Sequence, residues 1–145
     1  MKTTTSVVKG VLSTVAAAIS YYLGGWDTLL KVMVLFLVVD WLTGVLCASL
    51  GKSKHGEGLS SYWGIFGVVK KVMYLSLVLV AFGLDTVIGK PLTRNITVAA
   101  IALNEMLSIL ENASLLGIWI PPFLKNLLEI TKKQVSEEGK MNSEQ

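Results

Sequence analysis

The sequence predicts an all-α integral membrane protein, with about four transmembrane helices and a C-terminal amphipathic helix at the membrane interface. Three observations carry this. First, of 145 residues 52% are hydrophobic and only 16% charged, against about 25% charged in soluble domains. A chain of this size leaves much of its surface facing solvent, and it holds too few polar residues to cover that surface in water. Second, the apolar residues gather into four long runs nearly free of charge. Each run matches the ~17–25 residues a helix needs to cross about 30 Å of hydrocarbon. Third, the Lys and Arg residues concentrate between alternate runs. A helix satisfies its own backbone in lipid, so helical spans follow from apolarity alone. The composition also excludes a disordered chain. A single Cys (Cys47) and a single His (His55) exclude a disulfide scaffold and a structural zinc site. No cofactor and no metal are expected, and the net charge of +3 argues against a nucleic-acid partner.

A polar tail over residues 1–9 precedes a membrane domain over 10–122. The first run, GVLSTVAAAISYYLGGW, covers 10–26 without a charge. Its basic start (Lys2, Lys9) and Ala16 to Ala18 also fit a signal peptide. The next run follows Trp26 almost at once, however, and leaves no soluble domain to export. The second span, over about 32–50, contains one charge, Asp40. Residues 51–63, GKSKHGEGLSSYW, read as a true loop. Lys71 and Lys90 bound the third span, about 72–89, which also contains one charge, Asp85. The turn KPLTRN leads to the fourth span, about 96–118, where Glu105 and Glu111 interrupt the apolar residues. Pro121-Pro122 should stop that helix, because proline removes a backbone donor and restricts the residue before it. Residues 123–145 make the amphipathic helix and a polar tail: Phe123, Leu124, Leu127, Leu128 and Val135 share a face, with Lys132 and Lys133 off it.

With four spans and an inner N-terminus, ten basic residues fall on the inner side and three (Lys31, Lys90, Arg94) on the outer. This bias predicts both termini in the cytoplasm. Lys70, Lys71, Lys132 and Lys133 read as anchors at the inner membrane interface.

Acids within spans are costly, by about 2.5–3.5 kcal/mol each on insertion scales. Asp40, Asp85, Glu105 and Glu111 therefore need a partner helix, water or a proton, and no cation pairs with them obviously within the hydrocarbon. Asn104, Glu105, Ser108, Glu111 and Asn112 fall on one arc of the fourth helix. That stripe either lines water or joins copies in a homo-oligomer, or it forms a polar seam within one monomer or a helix end dipping into the interface. In the second span Asp40, Thr43, Gly44 and Cys47 share a face, and Gly44 with Ala48 permits close helix approach. Asp85 reads as an interfacial residue near Lys90 or Arg94. No nucleophile–base pairing, phosphate loop or metal-ligand spacing occurs, so no enzymatic activity is expected.

The order of these features resembles a known family. Asp40-x-x-Thr43-Gly44 precedes a Lys-bearing loop; Leu59-Ser60-Ser61, Gly64-Ile65 and Lys70-Lys71 follow. Then come Asn104-Glu105-x-x-Ser108-Ile109-x-Glu111-Asn112 and Gly117-x-x-x-Pro121. Over about residues 25–130 this is similar to the toxin-secretion/phage-lysis holins of Gram-positive phages, prophages and clostridial toxin loci. The NE-x-x-SI-x-EN block is its most specific part. The resemblance implies a multi-pass protein of the bacterial cytoplasmic membrane that assembles with its own copies. It also implies lesions that let an endolysin or a toxin cross, and an antiholin as a possible partner. A narrow ion channel, and a non-conducting antiholin or membrane scaffold, remain the alternatives.

Overall fold

A computed structural model describes residues 2–52, 61–127 and 129–130. Its described residues form four long helices and no strand: α1 (Lys2–Tyr22), α2 (Thr28–Ser49), α3 (Ser61–Ile88) and α4 (Thr93–Leu115). Three of these, α2, α3 from Gly64 onward, and α4, are long and apolar enough to cross a membrane. The protein is an all-α membrane protein.

α2 starts where the sequence supplies a cap. Asp27 lies just before the apolar run, and its Oδ1 accepts the Leu30 N–H at 2.8 Å. Leu30, Met33 and Leu37 then recur at helical spacing and are buried. They meet Val98, Ile101 and Ala102 of α4 and Val78 of α3 in the apolar core. α4 packs along α2 over most of its length and against α3 over less, while α2 and α3 touch only briefly. The least apolar of the three spans is thus the most buried. Outward-facing positions such as Leu35, Leu42, Val72, Leu79 and Val80 are exposed, as a surface bathed in lipid requires.

The helix bounds depart from the charge boundaries in three places. The third helix starts at Ser61 rather than near 72, so part of the expected 51–63 loop is helical. The stretch from Tyr62 to Val69 carries no charge and no proline, and Lys70 and Lys71 prove to be interior positions of α3 rather than its start. α4 ends at Leu115, before the double proline. Gly117, at φ +77°, takes the left-handed conformation that closes a helix, with its N–H on Ser114 O and the Ile118 N–H on Ala113 O. Pro121-Pro122 instead opens the next helical stretch, over 122–127, where a missing N–H is tolerated. The third departure is α1, which runs from Lys2 and stops at Tyr22. Its apolar side chains, Val7, Val11, Leu12 and Ile19 among them, are exposed. The expected amphipathic face survives in part as Phe123 and Leu127, both exposed. Leu128, Val135, Lys132 and Lys133 lie outside the described residues.

Candidate functional site

Two polar clusters sit in this helical frame, one at mid-span and one at the end shared by the α1–α2 and α3–α4 turns. At mid-span Asp40 on α2, Lys71 on α3 and Glu105 on α4 converge. The Lys71 ammonium donates to Asp40 Oδ2 and Glu105 Oε2, each at 2.8 Å. Lys70 comes within 3.9 Å of Glu105 Oε1 and lies over the Tyr74 ring, 5.3 Å from its centroid. Two cations thus stand against two carboxylates. The Glu105 side chain is fully buried, and those of Asp40 and Lys71 are 16% exposed.

Two turns along α4, Asn112 extends the network. Its Nδ2 donates to Thr43 Oγ1 at 2.9 Å and lies 3.3 Å from Asp40 Oδ1. Its backbone carbonyl accepts a weak bond from Cys47 Sγ at 3.4 Å. Ser108 also hydrogen-bonds the Asp40 carboxylate. Asn104, on the exposed edge, donates from Nδ2 to Tyr74 Oη at 2.9 Å. Glu111 is part-buried and engaged in a polar contact. No buried side-chain nitrogen or oxygen among the described residues lacks a hydrogen-bond partner.

The helical spacing builds this site directly. Asp40, Thr43 and Cys47 occupy one face of α2 at steps of three and four, and Glu105, Ser108 and Asn112 do the same on α4. Gly44 lies beside Asn112: an added Cβ would stand 3.8 Å from Nδ2, so a small residue there lets α4 approach. Ala48 is half-buried on the same helix. The polar face of α4 is therefore turned into its own bundle, and most of its bonds close within one chain.

The expectation that the acids lack a cation in the hydrocarbon is corrected by Lys71. Read as a headgroup anchor beside Lys70, it instead lies between two helices and joins Asp40 to Glu105. The doublet hid this, because two lysines bounding an apolar run read as a positive-inside signal. The one available cue is the helical distance between the two: neighbours on a helix point about 100° apart, so both cannot face the same way.

The second cluster is built on Arg94, which the sequence marked as an outer charge and a candidate neighbour of Asp85. Its guanidinium is buried and reaches back to the α1–α2 turn, donating from Nε to Leu23 O at 2.9 Å and from Nη2 to Gly25 O at 3.1 Å. It also pairs with Asp27. Asp85, on the last turns of α3, accepts the backbone N–H groups of Thr93 and Arg94 at 2.7 and 2.9 Å. α4 has no cap from its own Leu92, so Asp85 caps it from the neighbouring helix. Desolvation raises the Asp27 carboxyl, but the Arg94 hydrogen bond and the Leu30 and Leu29 N–H groups outweigh it and hold the group below its ordinary value. A cleft of about 360 Å³ opens beside these residues, lined by Gly24, Phe82, Asp85 and Arg94 among others.

Comparison with known proteins gives one consistent answer. Residues 17–133 match the bacteriophage holin family. An uncharacterised protein of Listeria innocua is 37% identical over 84% of each chain. A Clostridium perfringens protein, named for its place in the nagH 3' region, is 31% identical over 89% of this chain and 96% of its own. A Bacillus phage phi105 protein named "Probable holin" is 32% identical over 75% of this chain and 78% of its own. No solved structure matches. A match over most of the length, on a chain of apolar helices that enclose a buried polar seam, identifies this chain as a member of the bacteriophage holin family.

Proposed function

We propose that this protein is a working holin. It collects in a bacterial cytoplasmic membrane with both termini inside, assembles with its own copies, and opens lesions through which an endolysin or a toxin crosses. The observation that carries this reading is the closed network of Asp40, Lys71, Glu105 and Asn112 at mid-span. In the single chain these groups satisfy one another, so the protein can reside in lipid without a conducting path. Rotation of α4 away from α2 would turn the same face outward. Water would then replace each broken bond, so the polar face suits two states: sealed inside a monomer, or lining water between copies. The face comprises Asn104, Glu105, Ser108, Glu111 and Asn112 on α4, with Asp40, Thr43, Gly44 and Ala48 opposite. Lys132 and Lys133 anchor the inner surface, and no catalytic step is involved. Similarity to the phi105 protein supports the lytic role.

The test is inducible expression in a bacterium that carries a cytoplasmic endolysin without an export signal. Optical density and release of a folded reporter enzyme are followed. Delayed, abrupt lysis that needs the endolysin and releases the reporter is expected. Depolarisation without endolysin passage would replace the proposal with a narrow channel. Survival despite confirmed insertion would replace it with an antiholin or a scaffold.

A further inference from the structure

The polar stripe of α4 does not close entirely inside the chain. Asn104 sits near the middle of Thr93–Leu115 and is exposed. Its amide nitrogen serves Tyr74 Oη at 2.9 Å and approaches Glu105 Oε1 at 3.3 Å. Its carbonyl oxygen accepts no hydrogen bond from a described residue. At this depth lipid offers neither donor nor water, so an exposed amide is unfavourable there. Ala100, one turn earlier on the same face, is also exposed, and Ile96 and Leu103 flank the pair at 58% and 56% exposure. A small residue one turn from an amide lets a second backbone come close enough for that amide to bond across.

We infer that this face of α4 docks a second copy of the chain, α4 against α4 in parallel, crossing at Ala100 and Asn104. A second copy is favoured for a chemical reason. An amide is both donor and acceptor, so the Asn104 of another copy matches it group for group. Another copy inserted in the same sense also carries that amide at the same depth. Helices crossing at a small residue diverge on either side, which separates the two Glu111 side chains further along. The contact uses the exposed edge of the polar face, beside the buried Glu105 and Asn112, so two copies can associate while both seams stay closed. This deepens the proposed assembly by naming its first contact, and it rests on that reading only for its role in lysis.

Disulfide cross-linking in membranes tests it, on the full chain with Cys47→Ala removing the native thiol. Ala100→Cys should give a covalent dimer on oxidation. Leu35→Cys, on the exposed face of α2, should give markedly less. Adding Asn104→Leu to Ala100→Cys should lower the dimer fraction about fivefold or more, and Asn104→Gln should restore part of it. Equal cross-linking at positions 35 and 100, or a dimer fraction indifferent to Asn104→Leu, would overturn the inference. The readout is independent of lysis. A specific dimer in cells that survive would support this contact and count against the lytic role, whereas lysis without the dimer would do the reverse.

Discussion

At the scale of single residues, Lys71 ties three helices together at mid-span. It is the shared counter-ion of two carboxylates on two other helices. Removing one member of a buried ion group leaves the others uncompensated, at a cost of about 3–5 kcal/mol, whereas replacing the whole group by neutral residues is often tolerated. Lys71→Met should therefore destabilise the detergent-solubilised protein by that order, read from its denaturant midpoint. Adding Asp40→Asn and Glu105→Gln should recover most of the loss. If the triple variant were as unstable as the single one, the lysine stem rather than its charge would hold the helices. Asp27 gives a second prediction, with a defined sign. Its folded pKa lies below the ordinary carboxylate value, so its contribution is present above about pH 3.9 and is lost as pH falls through the folded value. Between pH 5 and 2, wild-type stability should fall more than that of Asp27→Asn. Parallel curves would show that the Asp27 charge adds nothing to the hold on Arg94 by the Leu23 and Gly25 carbonyls and Asn95 Oδ1.

At the scale of elements, the turns explain why the helices meet where they do. Gly24 has φ +79°, and a Cβ placed there would stand 2.8 Å from Phe82 Cδ2 and 3.1 Å from Arg94 Nε. Gly24→Ala meets both the left-handed backbone penalty and a ring that must move, at a cost of about 1–3 kcal/mol. The expected signature is loss of thermal stability with release of the α1–α2 turn, seen as faster hydrogen exchange at Leu23 and Gly25. Unchanged exchange there would mean that Arg94 re-forms its bonds around the new side chain. Much of this level was legible beforehand. The apolar runs marked α2, α3 and α4, because a span must be apolar along its whole length, whereas the first run, read as a fourth span, falls on α1, which is not among the three helices long and apolar enough to cross. The α4 stripe was legible because 3.6-residue periodicity puts Glu105, Ser108 and Asn112 on one face. The start of α3 was not, since a lysine paired inside a bundle and a lysine at a headgroup look identical in one dimension. The Arg94 clamp escaped for a related reason: two of its acceptors are backbone carbonyls of a distant turn, which any residue would supply.

At the scale of the whole molecule, α1 and the other three helices stand in different relations to the fold. α2, α3 and α4 share a core and both polar clusters, while the exposed side chains of α1 leave it joined mainly through its last turns, where the Tyr21 ring lies edge-on to Phe82. Few apolar contacts and a single hydrogen-bonded turn are what allow a segment to move without unfolding its neighbours. Removing residues 2–21 should therefore leave the three-helix unit intact. It keeps Leu23, the Arg94 acceptors and the mid-span network. The inner lysines at 52, 54, 125, 132, 133 and 140 also still outweigh Lys31, Lys90 and Arg94 around the remaining spans, so orientation should persist. The measurement is coupling between positions 71 and 105. Single and double replacement of Lys71 and Glu105 in the shortened chain should give an interaction energy within about 0.5 kcal/mol of that in the full chain, as separable elements do. A collapse of that coupling would mean that α1 braces the seam. The sealing of the α4 face would then belong to all four helices, and movement of α1 would be the step that opens it.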